Sequence, residues 1–152
     1  MMYALKIYSS TIFIIGASLL TSCDKRKEAI EKFNAKPEIM IISGKQKVAL
    51  RTDSLRLSPS DRSSKKIKIS FYDGNNNLAY VKVAVSSKNA VLSHEGRVVN
   101  DLLPINNNTL ELDFENTEEE LTTVTFIASD KLKAQSKAIY SILTFKNLAP
   151  VA

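Results

Sequence analysis

The sequence predicts an all-β fold, a two-sheet sandwich of about seven to nine short strands, after an export signal and a short tether. Three observations predict it. From Pro37 onward apolar residues recur at every second position, enriched in β-branched and aromatic types. Clusters of Gly, Asn, Asp, Ser and Pro interrupt this pattern at short intervals. No segment after Phe33 carries a sustained helical stripe. The chain has 152 residues, 44% hydrophobic and 24% charged, a globular composition with room for one unstapled core.

The elements follow in order. Ile39, Ile41 and Ile42 mark a first strand that ends at Ser43-Gly44. Val48, Leu50, Leu55 and Leu57 suggest one or two short strands stopping before Pro59, and residues 58–64 (SPSDRSS) have loop chemistry. Residues 66–72 alternate with Ile67, Ile69 and Phe71 inward. Residues 73–77 (DGNNN) form a turn, because Gly74 and the Asn residues tolerate positive φ. Ala79, Val81, Val83 and Val85 share one face of the next strand. Shorter strands are expected at 90–92 and 97–99 around Gly96, with a loop at 104–108. Leu110, Leu112 and Phe114 alternate before an acidic turn at 115–120. Val124, Phe126 and Ala128 line another strand, residues 129–134 turn, and 138–145 form the last strand. All four Pro residues fall at these boundaries, where a missing N–H costs no ladder bond.

Before Pro37 the sequence reads as an address. Lys6 is the one charge in the first ten residues, and residues 11–20 (TIFIIGASLL) are an apolar run. Ten such residues suit a signal-peptide core; crossing a ~30 Å hydrocarbon layer takes ~20. Leu20-Thr21-Ser22-Cys23 resembles the lipobox of bacterial lipoproteins, and Cys23 is the one cysteine of the chain. The resemblance implies cleavage before Cys23, a thioether-linked diacylglycerol on its sulfur and an acyl group on its amine. Several acyl chains give stable anchoring where one is marginal. Removing residues 1–22 takes away one base and no acid, so the mature net charge is about +4. Residues 24–36 (DKRKEAIEKFNAK) read as a solvated tether, roughly 40 Å long when extended at ~3.3 Å per residue. Cys-Asp-Lys followed by further charges also resembles the start of Bacteroidota-type lipoproteins, although Lys25, Arg26 and Lys27 interrupt the acidic patch that can act there as a surface-export signal.

Two stretches resemble bacterial immunoglobulin-like, cadherin-like and polycystic-kidney-disease-type repeats. Residues 68–83 (KISFYDGNNNLAYVKV) look like their second and third strands, and residues 123–152 like their last two strands with the linker to a following repeat. The resemblance implies an immunoglobulin-like sandwich. Without Trp or a Cys pair, the core is not of the antibody type. The expected organisation is a signal peptide over 1–22, lipidated Cys and tether over 23–36, sandwich over 37–148 and linker-like tail over 149–152.

Few residues suggest chemistry. One His and one Cys exclude most Cys/His metal sites and a Cys-His relay, and the four Gly are isolated, so no phosphate loop is present. No cofactor is expected. Asp73, Asn75 and Asn77 have the oxygen-ligand spacing that opens a calcium loop, but the twelfth position is Ala84 rather than Glu. A plain turn explains the same residues. Glu115 with Glu118, Glu119 and Glu120 could pair as carboxylates, yet a contiguous acidic run before a strand is ordinarily solvated. His94 beside Glu95 could serve as base or ligand, or simply lie exposed. Asp53-Ser54-Leu55 resembles the O-glycosylation acceptor of Bacteroidota and implies a sugar on Ser54. Asn107-Asn108-Thr109 matches an N-glycosylation sequon, which a bacterial lipoprotein is not expected to use.

The scattered charges of an exported protein argue against nucleic-acid binding despite the basic balance. The leading expectation is a non-enzymatic lipoprotein of the cell envelope, at the outer membrane. It would be held to the membrane by its N-terminal lipid and display the sandwich to another envelope protein. The alternative is a carbohydrate-binding accessory protein, for which Tyr72, Tyr80 and Tyr140 are the candidate stacking platforms, each equally suited to core or interface packing.

Overall fold

Alternation of apolar and polar side chains suits a pleated strand with one buried face, and sandwiches join two such faces. A computed structural model describes residues 33–57 and 63–146. The expected signal peptide, Cys23, most of the tether and the tail at 149–152 lie outside the described residues. The strands are β1 (Glu38–Ser43), β2 (Gln46–Val48), β3 (Leu50–Arg56), β4 (Ser63–Tyr72), β5 (Leu78–Val85), β6 (Ala90–His94), β7 (Arg97–Val98), β8 (Leu102–Leu103), β9 (Thr109–Asn116), β10 (Leu121–Asp130) and β11 (Gln135–Phe145).

They form two sheets, as expected: a six-stranded one in the order β2-β1-β4-β9-β6-β7 and a five-stranded one in the order β3-β11-β10-β5-β8. Every pairing is antiparallel except β3 with β11, which is parallel. The series β1-β4-β9-β6 facing β11-β10-β5 is the strand order of the immunoglobulin plan. Phe71, Phe114 and Phe126 fill the space between the sheets with Ile39, Ile41, Ile67, Ile69, Leu112, Val124 and Ile142, all essentially buried. From Ala35 onward the described residues form one compact unit.

Some boundaries differ from expectation. The strands among the described residues number eleven, because β2, β7 and β8 are ladders of only two or three residues. β4 begins at Ser63, inside the expected loop, since Ser63, Ser64 and Lys65 continue the ladder against Asn116, Glu115 and Phe114. That same ladder carries β9 into the expected acidic turn as far as Asn116. β10 continues through Ser129 to Asp130 by way of a register shift, and β11 starts at Gln135. Leu50 is exposed, because the inward positions of β3 are Arg51, Asp53 and Leu55.

The registers place the start of β1 and the turns at 73–77, 95–96, 104–108 and 131–134 at one end of the sandwich. The end of β11 and the turns at 86–89 and 117–120 lie at the other.

Candidate functional site

The chain leaves the six-stranded sheet after β7, pairs β8 with β5 in the other sheet, and returns as β9. The excursion begins at a two-residue hairpin in which Ser93 pairs with Val98 and His94 with Arg97. Both turn residues have positive φ, 50° at Glu95 and 76° at Gly96, the pattern of a type I′ turn whose twist suits a hairpin. Backbone bonds pin the crossing: Val99 N donates to Leu92 O (2.8 Å), Val83 N to Asp101 O (2.7 Å) and Phe71 N to Asn108 O (2.9 Å).

Between the hairpin and the returning strand lies an open cleft of about 540 Å³, within the size range of ligand sites. Val99, Pro104 and Leu110 contribute apolar surface. The polar lining comes from His94, Arg97, Asn100, Asp101, Asn106, Asn107 and Glu111. Two of the lining carboxylates, Asp101 and Glu111, have lysine partners. Lys66 Nζ lies 2.6 Å from Glu111 and 3.3 Å from Asp113, contacts that raise the Lys66 pKa. Lys82 Nζ lies 3.5 Å from Asp101. His94 Nδ1 is 3.0 Å from the carbonyl of Glu111, which fixes its ring against β9.

Of the residues singled out by sequence, His94, Glu95, Asn107 and Thr109 line this cleft, and the others described sit elsewhere. Asp73, Asn75 and Asn77 do share one turn. There the Asp73 carboxylate accepts the backbone N–H of Asn75 (3.0 Å) and of Asn77 (3.1 Å), and Asn76 takes the positive φ of 52°. Both carboxylate oxygens therefore brace the turn. Among the described residues no group of three or more His, Cys, Asp or Glu is placed to hold a metal ion. Ser54 is exposed on β3, at the edge of the five-stranded sheet. Asn107 is exposed and lines the cleft. The carboxylates of Glu119 and Glu120 are engaged by separate partners. Glu119 accepts the backbone N–H of Lys146, and Glu120 accepts from Ser87 and Asn116. Tyr72 is exposed and Tyr80 half-buried. The expectation of Tyr140 as a platform is corrected: its ring lies on the inner face of β11 and is 2% exposed.

Two polar clusters went unrecognised in the sequence. Asp53 Oδ2, on β3, accepts hydrogen bonds from Lys65 Nζ (2.7 Å), Arg51 Nε (2.8 Å) and the Tyr140 hydroxyl. Lys65 belongs to β4, so the cluster ties the two sheets together. Partial burial works against the Asp53 anion, but the bonds from Lys65, Tyr140 and Arg51 outweigh it and hold the carboxyl down to about 2. Burial, reinforced by Asp53, pushes the Tyr140 phenol up. At the far end of the sandwich the fully buried Asn116 donates to Glu120 (3.2 Å), Thr122 (3.3 Å) and Thr144 (3.2 Å), and accepts from the Glu118 N–H (3.2 Å). The signal was present in both cases. Asp53 and Lys65 occupy inward phases of their strands, and Asn116, Thr122 and Thr144 each continue an inward apolar series by one step.

No family model matches the chain, and no curated protein matches it. The fold is similar to the solution structure of a lipoprotein from Bacteroides thetaiotaomicron, with a TM-score of 0.50 and 13% identity over 72% of this chain and 80% of that one. The N-terminal domain of PorA is also similar, with a TM-score of 0.44 and 12% identity over 72% of this chain and 98% of that one. At such identity the first likeness speaks to the fold alone.

Proposed function

We propose that this chain is a lipid-anchored protein of the cell envelope, at the outer membrane, that displays a non-catalytic sandwich for binding or scaffolding. The observation that carries the reading is the sequence Leu20-Thr21-Ser22-Cys23, ending on the one thiol of the chain, ahead of a charged tether and a closed β core. The solved structure of similar fold from Bacteroides thetaiotaomicron is likewise that of a lipoprotein. The polar groups that could have suggested acid–base chemistry serve as braces instead: Glu119 and Glu120 tie turns and strand ends, and Asp53 joins the sheets. The partner in the leading reading is another envelope protein, met through loops or an open strand edge. A second reading, glycan capture, is favoured by the amide-rich lining of the cleft beside β9.

Metabolic labelling with palmitate in the native host tests the anchor. The wild-type protein incorporates label and sediments with membranes, and Cys23→Ala does neither. Label retained in Cys23→Ala overturns the reading.

A further inference from the structure

Resting on the reading of this chain as a binding module, we propose that the cleft between the β6–β7 hairpin and β9 binds an uncharged, polyhydroxylated ligand, a neutral glycan. Polar side chains outnumber apolar ones in its lining, with Val99, Pro104 and Leu110 among the apolar ones, whereas most small-molecule sites are mainly apolar with a few polar groups. Asn100, Asn106 and Asn107 each present a donor and an acceptor in one plane, which matches adjacent hydroxyl groups that must donate and accept at once.

Charge argues in the same direction. Asp101 faces Lys82, Glu111 faces Lys66, which it shares with Asp113, and the remaining lining pair, Glu95 and Arg97, has opposite signs on one hairpin. The charges around the cleft are mixed in sign and held in pairs, so they single out no ionic ligand, whereas a neutral one can use the amides. Val98 and Leu102, 60% and 57% exposed at the rim, offer apolar surface to the C–H face of a sugar ring. The three backbone bonds that pin the crossing fix the lining before a ligand arrives, so less ordering is lost on binding.

The test uses the full-length lipoprotein in detergent micelles. It is titrated with a panel of neutral hexose and N-acetylhexosamine oligosaccharides, with polygalacturonate as the anionic probe and an acidic peptide as the protein-like probe. The proposal expects saturable binding to a neutral oligosaccharide with an affinity unaffected by added salt. Asn106→Ala and Asn107→Ala each weaken it about tenfold or more without shifting Tm. No binding to the neutral panel, binding confined to either acidic probe, or indifference to both Asn substitutions overturns the proposal. So does loss of binding on Tyr72→Ala with both Asn variants unaffected. None of these outcomes alters palmitate labelling, so the anchored reading stands or falls separately.

Discussion

At Asp53 a single carboxylate oxygen receives Lys65 from one sheet and Arg51 and Tyr140 from the other. The folded carboxyl is lowered from 3.8 to about 2, so the unfolded chain binds this proton more readily than the native one. The stability it contributes is therefore complete above the unfolded value and is lost as pH falls through the folded one. The side chain is only 18% exposed, and the contribution is about 1–2 kcal/mol. Urea unfolding between pH 5 and pH 2 should show that loss in the wild type and a flatter profile for Asp53→Asn. Equal slopes in the two proteins would remove the assignment. Asn116 acts without titrating. Its amide joins β9, β10 and β11 where no water reaches, so Asn116→Ala leaves Thr122, Thr144 and the Glu118 N–H short of a partner. A cost of about 2–3 kcal/mol follows, read as a Tm at least several degrees lower.

Between strands, the turns carry their own requirements. The β6–β7 turn holds Gly96 at φ 76°, and a Cβ there would meet nothing within 4 Å. The cost of Gly96→Ala is thus backbone strain alone, about 1–2 kcal/mol. Asn at position 95 accepts positive φ more readily than Glu, so Glu95→Asn should raise the melting temperature slightly while Gly96→Ala lowers it. The turn at 73–77 works through a side chain instead. Its Asp73 carboxylate caps two backbone amides, and Asp73→Ala should cost about 1 kcal/mol in thermal or urea unfolding. With those oxygens committed to the turn, about 5 mM Ca²⁺, well above the dissociation constants of extracellular calcium modules, should leave Tm unchanged. A calcium-dependent rise of several degrees would restore the metal reading.

Over the whole molecule, the two-sheet core was legible wherever a strand is long enough to show its period. Ile67-Ile69-Phe71, Leu110-Leu112-Phe114 and Val124-Phe126-Ala128 all point inward as alternation demands. β7 and β8 have two residues each and no period to read; their pairing depends on where the crossing lands. The cleft was illegible for the same reason. Asn100, Asn106 and Asn107 are ordinary loop residues until the crossing from one sheet to the other gathers them with Arg97 and Glu111. The same topology orders assembly. β10 and β11 form a hairpin with nine registered pairs across a short turn, a local contact with little loop-closure cost. β3 joins β11 in parallel, pairing Leu50 with Ile139 far along the chain, and can dock only after that hairpin exists. That order predicts that Phe126, fully buried on β10, belongs to the folding nucleus and that Leu55 on β3 packs late. Stopped-flow folding in urea should show Phe126→Leu slowing refolding by most of its stability loss, about 1 kcal/mol or more. Leu55→Ala should chiefly accelerate unfolding and leave the refolding limb nearly unmoved. If Leu55→Ala slows refolding as much as Phe126→Leu, the parallel β3 pairing forms with the nucleus and the hairpin-first order is wrong.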